Sequence, residues 1–289
     1  MARPLRVLFL VAEAAPFIKV GGLGDVGGSL PAALQKSGGT ALDVRLAIPH
    51  HPGILLNGRK LRQLEDVSLL VTGKKLKATI HSVKHEGVTV YLIGGEPVDT
   101  SLAVYQADPS QDGRKFTFFS LAALELTRQL GWAPDIVHAN DWHTAPAITA
   151  LKTKYKEDTF FQKTRTVLTL HNLPFMGDAS SYPEFNLPYG SGSLLPEWAR
   201  NRPLPLGLLH ADRIVAVSPN YAHGILTDDF GCGLHNFRIA RKPAILGILN
   251  GLDYNAWDPE RDTLIDQNYS TRNIKLRQVN KTALLESLG

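Results

Sequence analysis

The sequence predicts an α/β protein with a mostly parallel sheet, and two observations predict it. Short apolar, β-rich runs alternate with helix-length segments, the pattern of parallel strands joined by crossover helices. Polar residues also collect just after one strand after another, the edge where ligands gather in open parallel sheets. Residues 5–11 read as the first buried strand. Residues 27–37 read as a helix, closed by Gly38-Gly39. Residues 43–48 form a second strand, stopped by Pro49. The stretches 67–71, 76–83 and 88–93 are β-rich with Gly87 at a turn, the signature of a hairpin insertion. Residues 116–130 carry apolar side chains at helical spacing up to Gly131. Residues 135–138, 166–170, 211–217 and 244–249 are further short strands. The Pro-, Gly- and Ser-rich stretch 183–205 reads as a long loop or short helical pieces, and long loops often carry function.

The composition bounds the answer. The chain has 289 residues, 44% of them hydrophobic and 20% charged, enough for one large or two ordinary globular domains. Its net charge of +4 suits an anionic small molecule. The basic clusters Lys74, Lys75, Lys77 and Lys152, Lys154, Lys156 are not interleaved with aromatics in a nucleic-acid pattern, so they read as solvated faces. The single cysteine, Cys232, allows neither a disulfide framework nor a cysteine metal site and fits a reducing compartment. Glu13 interrupts the N-terminal apolar run, which therefore reads as a strand and not a signal peptide. No run approaches the roughly 18 apolar residues of a membrane span.

The most informative stretch is Lys19-Val-Gly-Gly-Leu-Gly-Asp25-Val, between a strand and a helix. Glycines let the backbone approach an anion, and a helix N-terminus offers unpaired N–H groups and the positive end of its dipole. Lys19 adds a movable positive charge. The stretch is not G-x-x-x-x-G-K-[ST], and an ordinary tight βα turn is its alternative reading. At later strand ends stand His138, Asn140, Asp141, Trp142 and His143, then His171 and Asn172, then Ser218, Pro219 and Asn220, then Asn250, Gly251 and Asp253. Ser218, Asp141 and Asn250 also suit helix caps. His138 to His143 could ligate zinc, but polyol recognition explains Asp and His beside a tryptophan better, with Trp142 itself read as core. His171 could hold a sugar hydroxyl or place its carbonyl near a developing positive carbon. Glu13, Asp25 and Asp141 are carboxylates of the kind glycoside hydrolysis needs in pairs, but their neighbours favour phosphate and sugar binding. There is no G-x-S-x-G for a serine triad.

Five motifs occur in a familiar order. They are the Lys19 loop, His138-Ala-Asn-Asp-Trp-His143, Leu168-Thr-Leu-His-Asn172, Ala216-Val-Ser-Pro-Asn-Tyr-Ala222 and Gly247-Ile-Leu-Asn-Gly-Leu-Asp253 with Trp257-Asp-Pro259. Together they resemble the bacterial glycogen synthases and plant starch synthases, retaining glycosyltransferases of the two-lobed GT-B fold. The resemblance implies a Rossmann-like N-terminal lobe, the first half of that fold. It implies ADP-glucose as donor and the non-reducing end of an α-1,4-glucan as acceptor. No cofactor, metal, nucleic acid or membrane is implied. By the match, Lys19, Gly21, Gly22, Leu23 and Asp25 belong to the donor-binding loop, and Asn250 lies near the nucleotide. Asp141 and His171 are implied at the catalytic centre, lining the transferred glucose. Glu13 and Asn172 are implied on the sugar or acceptor side. Phe175-Met176-Gly177 departs from the family pattern, and residues 176–202 are unusually rich in Pro and Gly, which bears on acceptor recognition. Residues 280–289 resemble the helix that precedes the second lobe. The expectation is a catalytic lobe over 1–260 and a helical linker over 261–289, with a partner lobe in cis or trans supplying the remaining phosphate contacts. A bacterial cytoplasm or a plastid is the expected location. The rival is a non-catalytic glucan- or nucleotide-binding module on the same lobe. An NAD enzyme is a third, weaker reading.

Overall fold

The computed structural model describes residues 3–101, 103–191, 193–254 and 256–289, in two compact units, Met1–Leu249 and Asn250–Gly289. The first unit is an α/β, Rossmann-like fold. Its strands are β1 (Leu5–Leu10), β2 (Leu42–Pro49), β3 (Arg62–Gln63), β4 (Val67–Val71), β5 (Lys74–His85), β6 (Val88–Gly94), β7 (Ile136–Asn140), β8 (Arg165–Leu170), β9 (Arg213–Ala216) and β10 (Ile245–Gly247). Its helices are α1 (Gly22–Gly38), α2 (Glu96–Asp99), α3 (Pro109–Gln129), α4 (Asp141–Lys152), α5 (Pro203–His210), α6 (Pro219–Gly224) and α7 (His235–Arg241). Among the described residues no helix is long and apolar enough to cross a membrane.

The sheet order is β10-β9-β8-β7-β1-β2-β6-β5-β3, with β4 paired to β5. Every pairing from β10 to β6 is parallel. The stretch read as a hairpin insertion is instead built into the sheet: β6 pairs in parallel with β2, and β5 then extends the edge antiparallel. Its two-residue turns, Thr72-Gly73 and Glu86-Gly87, have positive φ at both positions, the hairpin geometry that glycine favours.

Side chains alternate across β1. Leu8 and Leu10 join the core beneath α3 and α4, while Phe9 and Val11 join a separate core with Phe17, Ala32 and Leu46. The chain leaves β1 through α1 toward β2, and leaves β7 through α4 toward β8, on the other side of β1. The strand order therefore reverses between β1 and β7, the place where open sheets form a crevice.

Helix α1 starts at Gly22, ahead of the expected 27–37, so the glycine turn is itself the first helical turn. Gly22, Gly24, Gly27 and Gly28 lower local helix propensity, and packing overrides it. A Cβ on Gly27 would lie 2.4 Å from Glu13 O, and one on Gly28 2.1 Å from Ala15 O. Only glycine lets α1 lie this close to the segment after β1.

The second unit holds a 3-10 turn, Thr271–Leu276, N-capped by Ser270, and α8 (Arg277–Leu288). Gln267 N donates to Asn280 Oδ1 at 2.8 Å, and Asn280 Nδ2 donates to Gln267 O at 2.8 Å. Leu284 and Leu285 are exposed.

Candidate active site

The carboxyl ends of β1, β7, β8 and β9 lie side by side, with Leu10 beside Ala139, Asn140 beside Thr169 and Leu170 beside Ala216. This register brings the Lys19 loop, Asp141, His171, Asn172 and Ser218 to one sheet edge. Asn250 is exposed and opens the second unit.

Glu13 is the hub of the glycine loop. It is 1% exposed, and its Oε2 accepts from Val20 N and from Gly21 N at 3.1 Å. Its Oε1 accepts from the Tyr105 hydroxyl at 2.8 Å. The carboxylate thus folds the loop back on itself and presents the first turn of α1. The amides of Gly22 and Leu23 have no helical carbonyl four residues behind them, the usual state of a helix N-terminus. A Cβ on Gly22 would meet nothing within 4 Å, so this turn is open. Lys19 Nζ pairs with Asp25 Oδ1 at 2.7 Å, both side chains nearly half exposed. Such a pair is weak and exchanges readily for a ligand charge.

Tyr105 had no sequence signal, because it reaches Glu13 across 92 residues. A buried ion pair sets its segment: Lys115 Nζ lies 2.7 Å from Asp112 Oδ1 and donates to Val104 O at 2.7 Å, while Asp112 Oδ2 accepts from Gln106 N at 2.9 Å. The Tyr105 ring packs 5.1 Å from that of His143, two residues beyond Asp141. Tyr105 therefore joins the glycine loop to the start of α4.

Asp141 is the first residue of α4, with φ +53°, and is not its cap. Its Oδ1 accepts from His171 N at 2.7 Å and Asn172 N at 3.3 Å. The carboxyl supports the neighbouring loop and leaves its own helix uncapped. Trp142 is core, as expected, and Ser218 does cap α6, accepting from Tyr221 N at 3.0 Å. Asn140 Nδ2 donates to Leu10 O at 2.9 Å, which fixes its Oδ1 as an acceptor. His171 Nε2, 3.0 Å from that oxygen, must carry the proton, leaving Nδ1 a lone pair. Burial lowers the His171 pKa to about 4 and the His138 pKa to about 4, so both rings are neutral near pH 7.

Burial raises the Asp141 pKa to about 6, against the two amide hydrogen bonds that lower it. A raised folded pKa means that stability is greatest below the unfolded value of about 4 and declines as pH rises through about 6. Asp141→Asn keeps an acceptor for the two amides and removes the charge. Urea unfolding from pH 4 to 6.5 is expected to show wild type losing up to about 3 kcal/mol relative to the variant. Parallel stability curves would show that Asp141 does not titrate there.

Residues 6–239 match the family of starch synthase catalytic domains. The chain belongs to this starch synthase family. The glycogen synthase of Clostridium beijerinckii is 36% identical over 292 residues, covering 99% of this chain and 60% of that protein. The glycogen synthase of Streptococcus pneumoniae is 34% identical over 294 residues, with the same coverage of each. Among solved structures, the catalytic domain of starch synthase IV from Arabidopsis thaliana, bound to ADP and acarbose, aligns with a TM-score of 0.85 and 30% identity, over 99% of this chain and 59% of that one. The chain spans about 60% of the length of the curated starch synthase family relatives it matches.

Proposed function

We propose that the chain is the N-terminal lobe, over 1–260 with a helical linker over 261–289, of a glycogen or starch synthase. In this reading the enzyme transfers glucose from ADP-glucose to the non-reducing end of an α-1,4-glucan with retention at the anomeric carbon. The observation that carries the reading is the Glu13-clamped glycine turn at the same sheet edge as Asp141 and His171. The Arabidopsis relative, bound to ADP and acarbose, supports a nucleotide and a glucan-like sugar as ligands.

Charge developing on departing ADP needs fixed donors. The Gly22 and Leu23 amides supply part of that charge stabilisation, and Lys19 the rest of this lobe's share. Asp141 and neutral His171 line the glucose, and the His171 carbonyl, held through its own clamped turn, faces the developing positive carbon. Glu13 acts through the loop it clamps. Asn172 lies on the acceptor side. The remaining phosphate contacts come from a second Rossmann-like lobe, in cis or trans. No metal, cofactor, nucleic acid or membrane takes part, and the setting is a bacterial cytoplasm or a plastid.

Incorporation of labelled glucose into glycogen tests the reading. Residues 1–289 alone are expected to show negligible transfer, because closure between two lobes excludes water from the donor. Supplying the second lobe is expected to restore transfer. In that form Lys19→Ala should lower the rate by about 10- to 100-fold, the loss of one charge-assisted phosphate contact. Robust turnover by the isolated chain overturns the half-site reading. A folded two-lobe protein without turnover identifies a binding module instead.

A further inference from the structure

Beyond the end of β8, three successive backbone amides have no strand to pair with, and side chains take all three. Asp141 Oδ1 accepts from His171 N at 2.7 Å and Asn172 N at 3.3 Å. The hydroxyl of Tyr221 accepts from Leu173 N at 2.9 Å. The two side chains come from different strand ends, Asp141 after β7 and Tyr221 after β9, and grip the turn from both flanks. Leu173 is 1% exposed, so its amide lies where an unmade hydrogen bond is costly. Tyr221 is itself fixed, since its own N–H is held by the Ser218 cap at 3.0 Å. Burial raises the Tyr221 pKa, so the hydroxyl stays neutral and keeps its proton.

We propose that Tyr221 is a positioning residue for His171, completing with Asp141 a three-amide clamp that sets the plane of the His171 peptide and the orientation of its ring. The proposal rests on the synthase reading only for what the turn serves; the clamp stands on geometry alone. Asp141 holds the amides of 171 and 172, and the next peptide is held at its N–H by Tyr221 and at its carbonyl by Phe175 N at 3.3 Å. With Leu173 N released, that third peptide keeps only the longer bond, and its rotation draws the turn off Asp141 and the ring off Asn140 Oδ1.

The test uses the 289-residue chain. In wild type, hydrogen exchange at the Leu173 amide should be as slow as in the core of β8, although Leu173 lies in a loop. Tyr221→Phe removes only the hydroxyl. It should speed exchange at Leu173 by 10-fold or more, while amides of β1 and β2 keep their rates. The ring-nitrogen chemical shifts of His171 should move from a single Nε2-protonated form to a mixture of tautomers, with the His51 ring as the unchanged control. Unprotected Leu173 in wild type overturns the clamp. A released Leu173 amide with unchanged His171 shifts shows Tyr221 to be structural only and overturns the positioning role. Neither readout requires transferase activity, so failure of glucose transfer in the longer protein leaves this result standing.

Discussion

Gly28→Ala is expected to destabilise the first unit by about 2–4 kcal/mol, although alanine is the better helix former. Within a helix, Gly to Ala ordinarily stabilises by about 0.5–1 kcal/mol. Here the added methyl would lie 2.1 Å from Ala15 O and 2.9 Å from Ala15 C. Both are backbone atoms of the segment tied to α1 by the 2.9 Å bond from Ala15 N to Gly24 O, so neither can turn aside as a side chain would. The helix must move off, taking the Gly22 and Leu23 amides with it. Gly22→Ala is the internal control: its Cβ meets nothing within 4 Å, so the stability change should stay within about 1 kcal/mol. Urea denaturation of the two variants decides the matter. Equal midpoints for both would mean that the helix does not rest on the loop backbone.

Glu13→Ala is the second large effect. Three donors converge on this carboxylate: Val20 N, Gly21 N and the Tyr105 hydroxyl. Alanine orphans all three beside a residue only 1% exposed, at an expected cost of about 3–5 kcal/mol. Glutamine keeps one oxygen for the loop amides and sets an amide N–H against Tyr105, whose hydroxyl can accept it. About 1–2 kcal/mol is the expected loss there, mostly of charge assistance. Hydrogen exchange at Val20 and Gly21 should rise in the order wild type, Gln, Ala. A Glu13→Ala protein within 1 kcal/mol of wild type would refute the clamp.

Strands β7 to β9 were legible because each is a short run rich in β-branched residues with polar residues at or just past its end, as at Val167 to His171. Strand β6 was legible as a strand but not as a member of the parallel sheet, because its partners on β2 lie 44 residues earlier and pairing register leaves no local mark. The start of α1 was missed because glycine speaks against helix locally, and the contact that overrides it is with the backbone of residues 13–15. The positions of Lys19, Asp141 and His171 at one edge followed from the alternation of strands and helices and from their places just after strands. What holds them did not. Tyr105 and Tyr221 act across 92 and 48 residues, and a tyrosine hydroxyl carries no periodicity for a sequence to reveal.

The strand reversal between β1 and β7 has a genetic consequence. Phe17 and Ala32, flanking the glycine turn, belong to the core of Phe9 and Leu46, whereas Trp142, next to Asp141, belongs to the core of Leu10, Phe116 and Ile148; Leu23 touches both. Apolar substitutions in the two cores share few neighbours, so their stability effects should add. Their effects on ligand binding should not, since both move halves of one constellation that Tyr105 links. Pairs of mild variants drawn from opposite faces of the sheet should therefore be additive in thermal melts and synergistic in function, while pairs from one face should already be non-additive in thermal melts.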